Sequence, residues 1–215
     1  MQIKILHDEK HFLVCIKPTG VLSENSDEKS QGMVDLLSEQ QNTEIFPVHR
    51  LDREASGIMV YAKTKTGAAK LSALIQTDGF KKQYLALVHG EPDEMSGVME
   101  DYLFKDSKKN KSFVVKKERK GVKFAKLDYI TLASNEVEGQ NMSLVKINLH
   151  TGRTHQIRVQ FSSRNMPLVG DSRYGSGIKT DMCLFSHSIE FVNPFGGAVV
   201  KLEALPEYGY FELFK

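Results

Sequence analysis

The sequence has few cysteines, little net charge and no long apolar run, and each of these shortages narrows the possible classes of protein. The 215-residue chain has two cysteines, Cys15 and Cys183. They lie far apart in apolar surroundings, which is typical of core thiols in a reducing compartment and does not suit a paired metal site. The net charge is only +2, so the overall charge does not indicate a polyanionic partner.

Sequence segments that direct a protein to a membrane are also missing. The N-terminal residues MQIKILHDEKHF lack the apolar stretch of a secretory signal peptide, and no apolar run approaches the length that spans a bilayer. The chain shows no repeat of fixed period and no low-complexity linker. We therefore expect a cytoplasmic protein without membrane contact, and we expect it to be a monomer.

The length and composition are those of an ordinary globular protein. A chain of 215 residues, 40% hydrophobic and 26% charged, is long enough for a sizeable core. Periodicity predicts strands over 11–17, 56–63, 81–91, 142–150, 183–192 and 198–206, and helices over 31–41, 67–79 and 154–164. Strand pairs outnumber βαβ units, so we predict an α+β fold: a single domain over 1–215 around a large mixed, mainly antiparallel β-sheet flanked by helices and loops.

Several local features of these elements are also predicted. The run 56–63 is apolar on both faces, which indicates a central strand covered on both sides. Gly79 is expected to end the helix over 67–79, and Thr154 to cap the helix that follows it. The stretch GRTHQIR (152–158) is too polar to begin a core helix and too organised to be an ordinary loop.

One carboxylate, Asp52, lies between Arg50 and Arg53 in HRLDREASGIMVYAK (49–63), just before the predicted central strand. Nearby positive charge favours the ionised form of an acid, so Asp52 is a poor proton donor and is suited to be a nucleophile or an electrostatic stabiliser. The alternative is that Asp52 only caps a turn and pairs with an arginine, because ion pairs of this kind are common.

The segment from Lys105 to Lys126, called here the basic segment, concentrates positive charge. Phe113, Val114 and Val115 lie in its middle, as in the apolar stem of a hairpin, and only Asp106 and Glu118 oppose its cations. These cations are Lys105, Lys108, Lys109, Lys111, Lys116, Lys117, Arg119, Lys120, Lys123 and Lys126. The segment is either a solvated surface hairpin or an arm that contacts nucleic-acid phosphates.

A second dense stretch, residues 149–175, contains Arg153, His155 and Arg158. His155 and Arg158 are three residues apart and share a helix face. His150 and His155 have the wrong spacing for a metal site on one face, and no acid accompanies them. Taken alone, His155 could equally be a core residue.

Four motifs in this sequence resemble those of the RluA-like family of RNA pseudouridine synthases. FLVCIKPTGVLS is similar to the family's opening motif, HRLDREASGIMVYAK to its catalytic motif, and KKQYLALVHG to the segment that carries the active-site tyrosine. GRTHQIRVQF followed by PLVGDSRYG resembles the downstream signature. Glu54-Ala55 and Gln160 depart from the family's usual residues. Nothing before residue 11 resembles the S4-type RNA-binding domain of many relatives, so we expect the catalytic domain without it.

The resemblance implies a pseudouridine synthase fold and an isomerase that acts on RNA without cofactor or metal. Asp52, Tyr84 and Arg158 are then the catalytic residues, with Arg158 as the partner that keeps Asp52 ionised. Substrate-binding residues are expected at His49, Arg50, Leu51, Arg153, His155, Lys108, Lys109 and Lys111. Tyr84 would stack on the detached uracil, although most tyrosines that alternate with apolar residues on a strand are packing residues.

Some questions stay open at the level of sequence. Asp52 could attack C1′ of the ribose, stabilise positive charge there, or remove a proton from C2′. The substrate could be ribosomal RNA, transfer RNA or both, with an unpaired or flipped uridine. Two other classes are an RNA-binding module that has lost activity, which the intact Asp52, Tyr84 and Arg158 disfavour, and a metal-dependent nuclease or phosphatase. The second would need clustered carboxylates, and only Glu54 accompanies Asp52.

Overall fold

A computed structural model describes residues 1–25 and 31–214. Its strands are Ile5–Asp8 (β1), Phe12–Lys17 (β2), Phe46–Pro47 (β3), Ser56–Ala62 (β4), Phe80–His89 (β5), Ser96–Asp106 (β6), Lys111–Val115 (β7), Val122–Val137 (β8), Gln140–Leu149 (β9), Leu184–Val192 (β10) and Val199–Glu203 (β11). Its α-helices are Met33–Gln41 (α1), Lys65–Ile75 (α2) and Gln156–Ser162 (α3), and short 3-10 helices span Ser172–Tyr174 and Gly209–Phe214. Among the described residues, no helix is long and apolar enough to cross a bilayer.

The contacts within the chain define two compact units. The first consists of Met1–Lys82 and Phe185–Pro206, and the second of Gln83–Leu184 and Glu207–Lys215. The predicted α+β class, with a mixed and mainly antiparallel sheet, is confirmed: β4 and β10 pair in parallel, and the other pairs described below are antiparallel. The extent of the catalytic domain, predicted as 1–215, stays a prediction.

In the first unit, β4 is the central strand, as predicted. It pairs with β2 on one side and with β10 on the other, while β1 extends the sheet beyond β2 and β11 pairs with β10. All seven residues of β4 are buried, which explains why the run is apolar on both faces. Gly57 has φ +112°, and a Cβ at this position would lie 2.4 Å from the backbone nitrogen of Ser186. Only glycine allows the parallel pairing with β10 at this point.

In the second unit, antiparallel strands follow the order β5-β9-β8-β6-β7. Leu103 and Ala125 of this sheet pack with Val159 of α3 and with Tyr174. Helix α3 therefore lies against one face of the sheet. The basic segment begins in the β6–β7 hairpin, in which Asp106 pairs with Lys111 next to the turn. It continues into β8, which pairs with the opposite edge of β6.

Two predicted helix ends are wrong, for local reasons. Helix α2 ends at Ile75, before Gly79, because the Gln76 N–H closes the last turn on Ala73 and the Thr77 hydroxyl donates to the Leu74 carbonyl at 2.7 Å. Helix α3 is preceded by His155 in the left-handed conformation, φ 53°, and Thr154 does not cap it. The turn at His155 takes the place of a side-chain cap.

The prediction that the run 152–158 is too polar to begin a core helix is also wrong. Gln156, Arg158 and Gln160 of α3 are all buried. Each donates a hydrogen bond inside the protein. Gln156 donates to the Lys126 carbonyl, Arg158 to the Asp171 carboxylate, and Gln160 to the Met99 carbonyl. Burial of polar groups is tolerated where partners replace water.

Candidate active site

Asp52 is half-buried on the loop of residues 48–55 that leads into β4, called here the Asp52 loop. Ser23 anchors the loop through Leu51: its hydroxyl donates to the Leu51 carbonyl at 2.8 Å and accepts the Leu51 N–H at 3.0 Å. The Asp52 carbonyl accepts the Ala55 N–H at 3.1 Å, which closes a turn. The backbone on both sides of the carboxylate is thereby held in one conformation.

Lys17, at the end of β2, supports the Asp52 loop from the core. Its side chain is fully buried, and Nζ donates to the carbonyls of Val21, Pro18 and Arg53 at 2.7, 2.8 and 3.1 Å. Burial lowers the pKa of the Lys17 ammonium from 10.5 to about 8, although the charges of Asp52 and Glu54 act to raise it. Sequence reasoning assigned Lys17 no role; the available signal was a lysine closing an apolar strand.

His49 is also held within the first unit. Its Nε2 accepts the N–H of Val60 at 3.0 Å, and its ring lies 6.0 Å from that of Phe80. Burial and the charge of Lys82 lower the pKa of His49 to about 3. A neutral ring whose Nε2 accepts a backbone hydrogen bond fixes the start of the Asp52 loop against β4. Its substrate-binding role stays a prediction.

The two arginines beside Asp52 have other partners in the structure. Arg50 is 74% exposed at its side chain and lies 3.6 Å from Glu24. Arg53 Nε donates to the Gly20 carbonyl at 2.9 Å. Adjacency in sequence therefore did not reveal the contacts of these guanidinium groups, and the exposed position of Arg50 leaves it accessible to a polyanion.

The pH dependence of stability should identify Lys17 as a buried cation. Between pH 8 and 10.5 the Lys17 ammonium has lost its proton in the folded state but keeps it in the unfolded state. The free energy of unfolding therefore rises with pH, by at most about 1.4 kcal/mol per pH unit. Lys17→Met has no ammonium at this position and therefore lacks this contribution to the pH dependence of stability. We expect the stability advantage of the parent over Lys17→Met to grow between pH 7.5 and 9.5 in urea unfolding.

The matched control for this experiment is Lys123→Met, which removes an exposed lysine. Its stability difference from the parent should stay level over the same pH interval, because the Lys123 ammonium remains in water. A level difference for Lys17→Met as well would contradict the buried-cation assignment.

In the second unit, Arg158 of α3 forms a buried ion pair with Asp171. Its Nε and Nη2 donate to the two carboxylate oxygens at 2.6 and 2.9 Å, and both residues are 2% exposed. The Arg158 guanidinium also lies 5.2 Å from the ring centre of Tyr174. This two-point geometry fixes the direction of the guanidinium group.

Tyr174 contacts three predicted site residues of the second unit, Arg158, His155 and Lys111. Its hydroxyl lies 2.9 Å from His155 Nδ1 and accepts the Ser112 N–H of β7 at 2.8 Å. Lys111 Nζ lies 4.8 Å from its ring and donates to the Arg173 carbonyl. Sequence reasoning missed Tyr174 and Asp171, although both lie in the quoted motif PLVGDSRYG.

The remaining predicted residues of this unit differ in accessibility. Tyr84 is 6% exposed and lies opposite Ile147 of β9. Arg153 Nε donates to the Phe124 carbonyl at 2.9 Å. Lys108 and Lys109 lie in the turn between β6 and β7, where their side chains are exposed and their backbone N–H groups donate to the Asp106 carboxylate at 3.0 and 3.1 Å. Within residues 1–25 and 31–214, no group of three or more His, Cys, Asp or Glu side chains is placed to hold a metal ion.

Comparison with known proteins gives a consistent result. The sequence profile of the RNA pseudouridylate synthase family matches residues 11–163. The chain is 30% identical to an RNA pseudouridine synthase of Bacillus subtilis, YhcT, over 94% of this chain and 68% of that protein. It is 34% identical to ribosomal large subunit pseudouridine synthase C of Buchnera aphidicola, over 80% of this chain and 53% of that protein. The chain thus spans about half to two thirds of the length of these relatives.

The fold comparison agrees with the sequence comparison. Human RNA pseudouridylate synthase domain containing 1 aligns with 96% of this chain, and 84% of that structure is covered. The TM-score is 0.81 at 23% sequence identity. At this identity the likeness establishes the fold.

Proposed function

Because the chain belongs to the RNA pseudouridylate synthase family, whose members are isomerases acting on RNA, we propose that it converts specific uridines of ribosomal RNA, transfer RNA or both to pseudouridine. The observation that carries the proposal is the family match over residues 11–163, which includes Asp52, Tyr84 and Arg158. We propose further that the protein works in the cytoplasm as a monomer and needs neither metal nor cofactor.

The reaction is an isomerisation, so its atoms balance within the nucleoside. The C1′–N1 bond breaks, the uracil turns, and a C1′–C5 bond forms while the proton on C5 is lost and N1 gains one. No group leaves the RNA and no electrons are exchanged with another molecule. The chain has to supply a group that acts at the ribose, a support for the free uracil, and a route for the C5 proton.

Asp52 is the proposed group at the ribose. An ionised carboxylate can attack C1′, stabilise positive charge there or take the C2′ proton. The firm anchoring of its loop through Ser23 and Lys17 supports this role, because catalytic groups act best when held in one geometry. Tyr84 is proposed to stack on the uracil, with its hydroxyl assisting proton removal at C5. Arg158 is proposed to provide the positive charge that keeps the carboxylate ionised.

The direct test is to map pseudouridine in total cellular RNA with and without the gene, and then to restore the missing sites with purified protein in excess chelator. Restored pseudouridine in chelator supports the proposal. RNA cleavage that stops in chelator would instead indicate a metal-dependent nuclease. RNA binding with neither reaction would indicate a binding module without activity.

The exposed lysines of the β6–β7 turn are proposed to bind RNA phosphates. Each phosphate contact contributes a slope of about −0.7 to the dependence of log affinity on log salt for single strands. Replacing both Lys108 and Lys109 with glutamine should therefore flatten the slope by about 1.4. Lys111 is left in place because its ammonium donates to the Arg173 carbonyl. Affinity should be measured at several salt concentrations, together with the rate at saturating RNA.

The control pair is Lys4→Gln with Lys10→Gln, which removes two exposed lysines of the first unit. We expect this pair to leave the salt slope close to that of the parent. If the turn lysines also leave the slope unchanged, they are solvated surface residues. If the saturated rate collapses while affinity persists, they act at the reacting nucleotide.

A further inference from the structure

The strands β6, β7 and β8 present aromatic side chains on the face opposite to α3. Cross-strand pairs define this face, because directly opposed residues of antiparallel strands point to the same side. The pairs Tyr102–Phe124 and Phe104–Phe113 lie on it. Leu103 and Ala125, one residue away in each strand, lie on the other face and pack against Val159 of α3. We call the set Tyr102, Phe104, Phe113 and Phe124 the aromatic face.

The aromatic face is open to solvent. Phe124 is 43% exposed, and the other three rings are partly exposed. The rings of Tyr102 and Phe124 are 6.0 Å apart at 68°. Such a surface is costly to leave in water, since exposed aromatic clusters are uncommon away from binding sites.

Cations lie over or beside these rings. The Arg119 guanidinium is 5.4 Å from the ring centre of Phe104, and Lys109 Nζ is 5.9 Å from that of Phe113. Arg153 Nε donates to the Phe124 carbonyl. The surface therefore combines flat apolar rings with positive charge. Two nearby acids both have partners: Glu100 pairs with Lys126 at 2.8 Å, and Asp106 accepts the backbone N–H groups of Lys108 and Lys109.

We propose that the aromatic face is a stacking surface for unpaired bases of RNA. Single-stranded RNA is recognised by aromatic rings that stack on bases and by cations that follow the phosphates. A protein partner fits less well, because interface cores are depleted of lysine. The proposal rests on the proposed function only in the choice of RNA as the polyanion. It places the stacking of RNA bases on the sheet of the second unit, on the face opposite to the one that carries α3 and Arg158.

Arg153 gives this surface continuity with a predicted substrate-binding residue. Arg153 belongs to the loop before α3 and contacts β8 at Phe124. Two residues further along the strand, the carbonyl of Lys126 accepts a hydrogen bond from Gln156 Nε2 at 3.1 Å. The rings thus begin where the strand meets the loop that leads to Arg158. An RNA strand held at Arg153 could place its next bases on Phe124 and Tyr102.

The test uses the fact that the chain has no tryptophan, so Phe124→Trp introduces a single tryptophan on the aromatic face, whose fluorescence can be excited selectively over that of the tyrosines. The ligand is an oligocytidylate of about ten nucleotides, which has bases and phosphates but no uridine to isomerise. We expect saturable quenching of Phe124→Trp fluorescence, with the same midpoint as binding measured by anisotropy. Val199→Trp, on an exposed residue of β11, is the control and should not be quenched.

Affinity measurements on substituted variants provide the second part of the test. Stacking on one ring contributes about 1–3 kcal/mol per base, so Phe124→Leu should weaken binding about fivefold or more. Its salt slope should not change, because no charge is removed. Ile130→Ala, an apolar residue of the same strand and face with 44% exposure, should bind like the parent. A ten-unit abasic strand should bind Phe124→Leu and the parent equally.

Each contrary result overturns the inference. Unchanged affinity of Phe124→Leu, or equal losses on the abasic strand, would show that the rings do not stack on bases. Absence of quenching at Phe124→Trp would show the same by another route. Pseudouridine formation by the parent is measured in parallel: if that reaction is absent while quenching and the Phe124→Leu loss are present, the proposed function fails and the stacking surface stands.

Discussion

Asp52→Asn is expected to abolish pseudouridine formation while the protein folds and binds RNA like the parent. Asparagine keeps the shape of the side chain and removes the charge, so neither attack at C1′ nor proton removal at C2′ remains available. Positioned acid–base groups contribute about 10²–10⁴ to a rate, and we expect a loss of about a thousandfold or more. The loop should survive, because its hydrogen bonds to Ser23 use the Leu51 backbone.

Release of tritium from C5 of labelled uridine measures this reaction directly. The matched control is Glu54→Gln, which neutralises the neighbouring half-buried carboxylate two residues away. Its release rate should stay within a few-fold of the parent. Turnover by Asp52→Asn at close to the parental rate would remove Asp52 from the chemistry, whatever the family match implies.

Much of the fold could be predicted from the sequence because the signals are local. The seven buried residues of β4 form a continuous apolar run, and residues 143–148 of β9 alternate between buried and partly exposed. Such periodicities depend on which face of an element meets the core, so they survive in the sequence alone. The order of the four motifs also identified the family without any contact information.

What could not be predicted depends on partners that are distant in sequence. The β6–β7 hairpin is visible as a local pattern, yet the pairing of β8 with β6 is a long-range choice. The stretch 152–158 was predicted to be too polar to begin a core helix because the acceptors of the α3 side chains are distant in sequence: Lys126 lies 30 residues from Gln156, and Met99 lies 61 residues from Gln160. A polar side chain looks exposed until its buried partner is known.

The site shows the same limit. The sequence does not show what Lys17 and Asp171 contact, but each holds a predicted functional element: Lys17 supports the Asp52 loop, and Asp171 binds the Arg158 guanidinium. The flanking position of Arg50 and Arg53 suggested a direct role beside Asp52, and the structure gives them contacts with Glu24 and Gly20. Neighbours in sequence on a turn point in different directions, so adjacency is weak evidence for an ion pair.

The buried pair of Arg158 and Asp171 leads to the second prediction with a large effect. Arg158→Met should lower the free energy of unfolding by about 3–5 kcal/mol, because it leaves the Asp171 carboxylate buried without its guanidinium partner. Asp171→Leu should lower it by a similar amount, because it leaves the Arg158 guanidinium buried without its carboxylate partner. Urea unfolding at neutral pH measures both. Arg164→Met is the control: the Arg164 side chain is 35% exposed, and its partner Asp101 keeps the hydrogen bond from Gln160, so the loss should be small.

The double variant Arg158→Met/Asp171→Leu separates structure from catalysis. Apolar side chains of similar volume often replace a buried ion pair without loss of stability, so the double variant should unfold at nearly the parental free energy. If Arg158 acts only through the fold, this variant will regain pseudouridine formation as well. We expect it to stay inactive with its RNA affinity largely intact, because methionine cannot supply the positive charge that the family resemblance assigns to Arg158 in keeping Asp52 ionised. Recovery of activity together with stability would make the ion pair with Asp171 the whole function of Arg158.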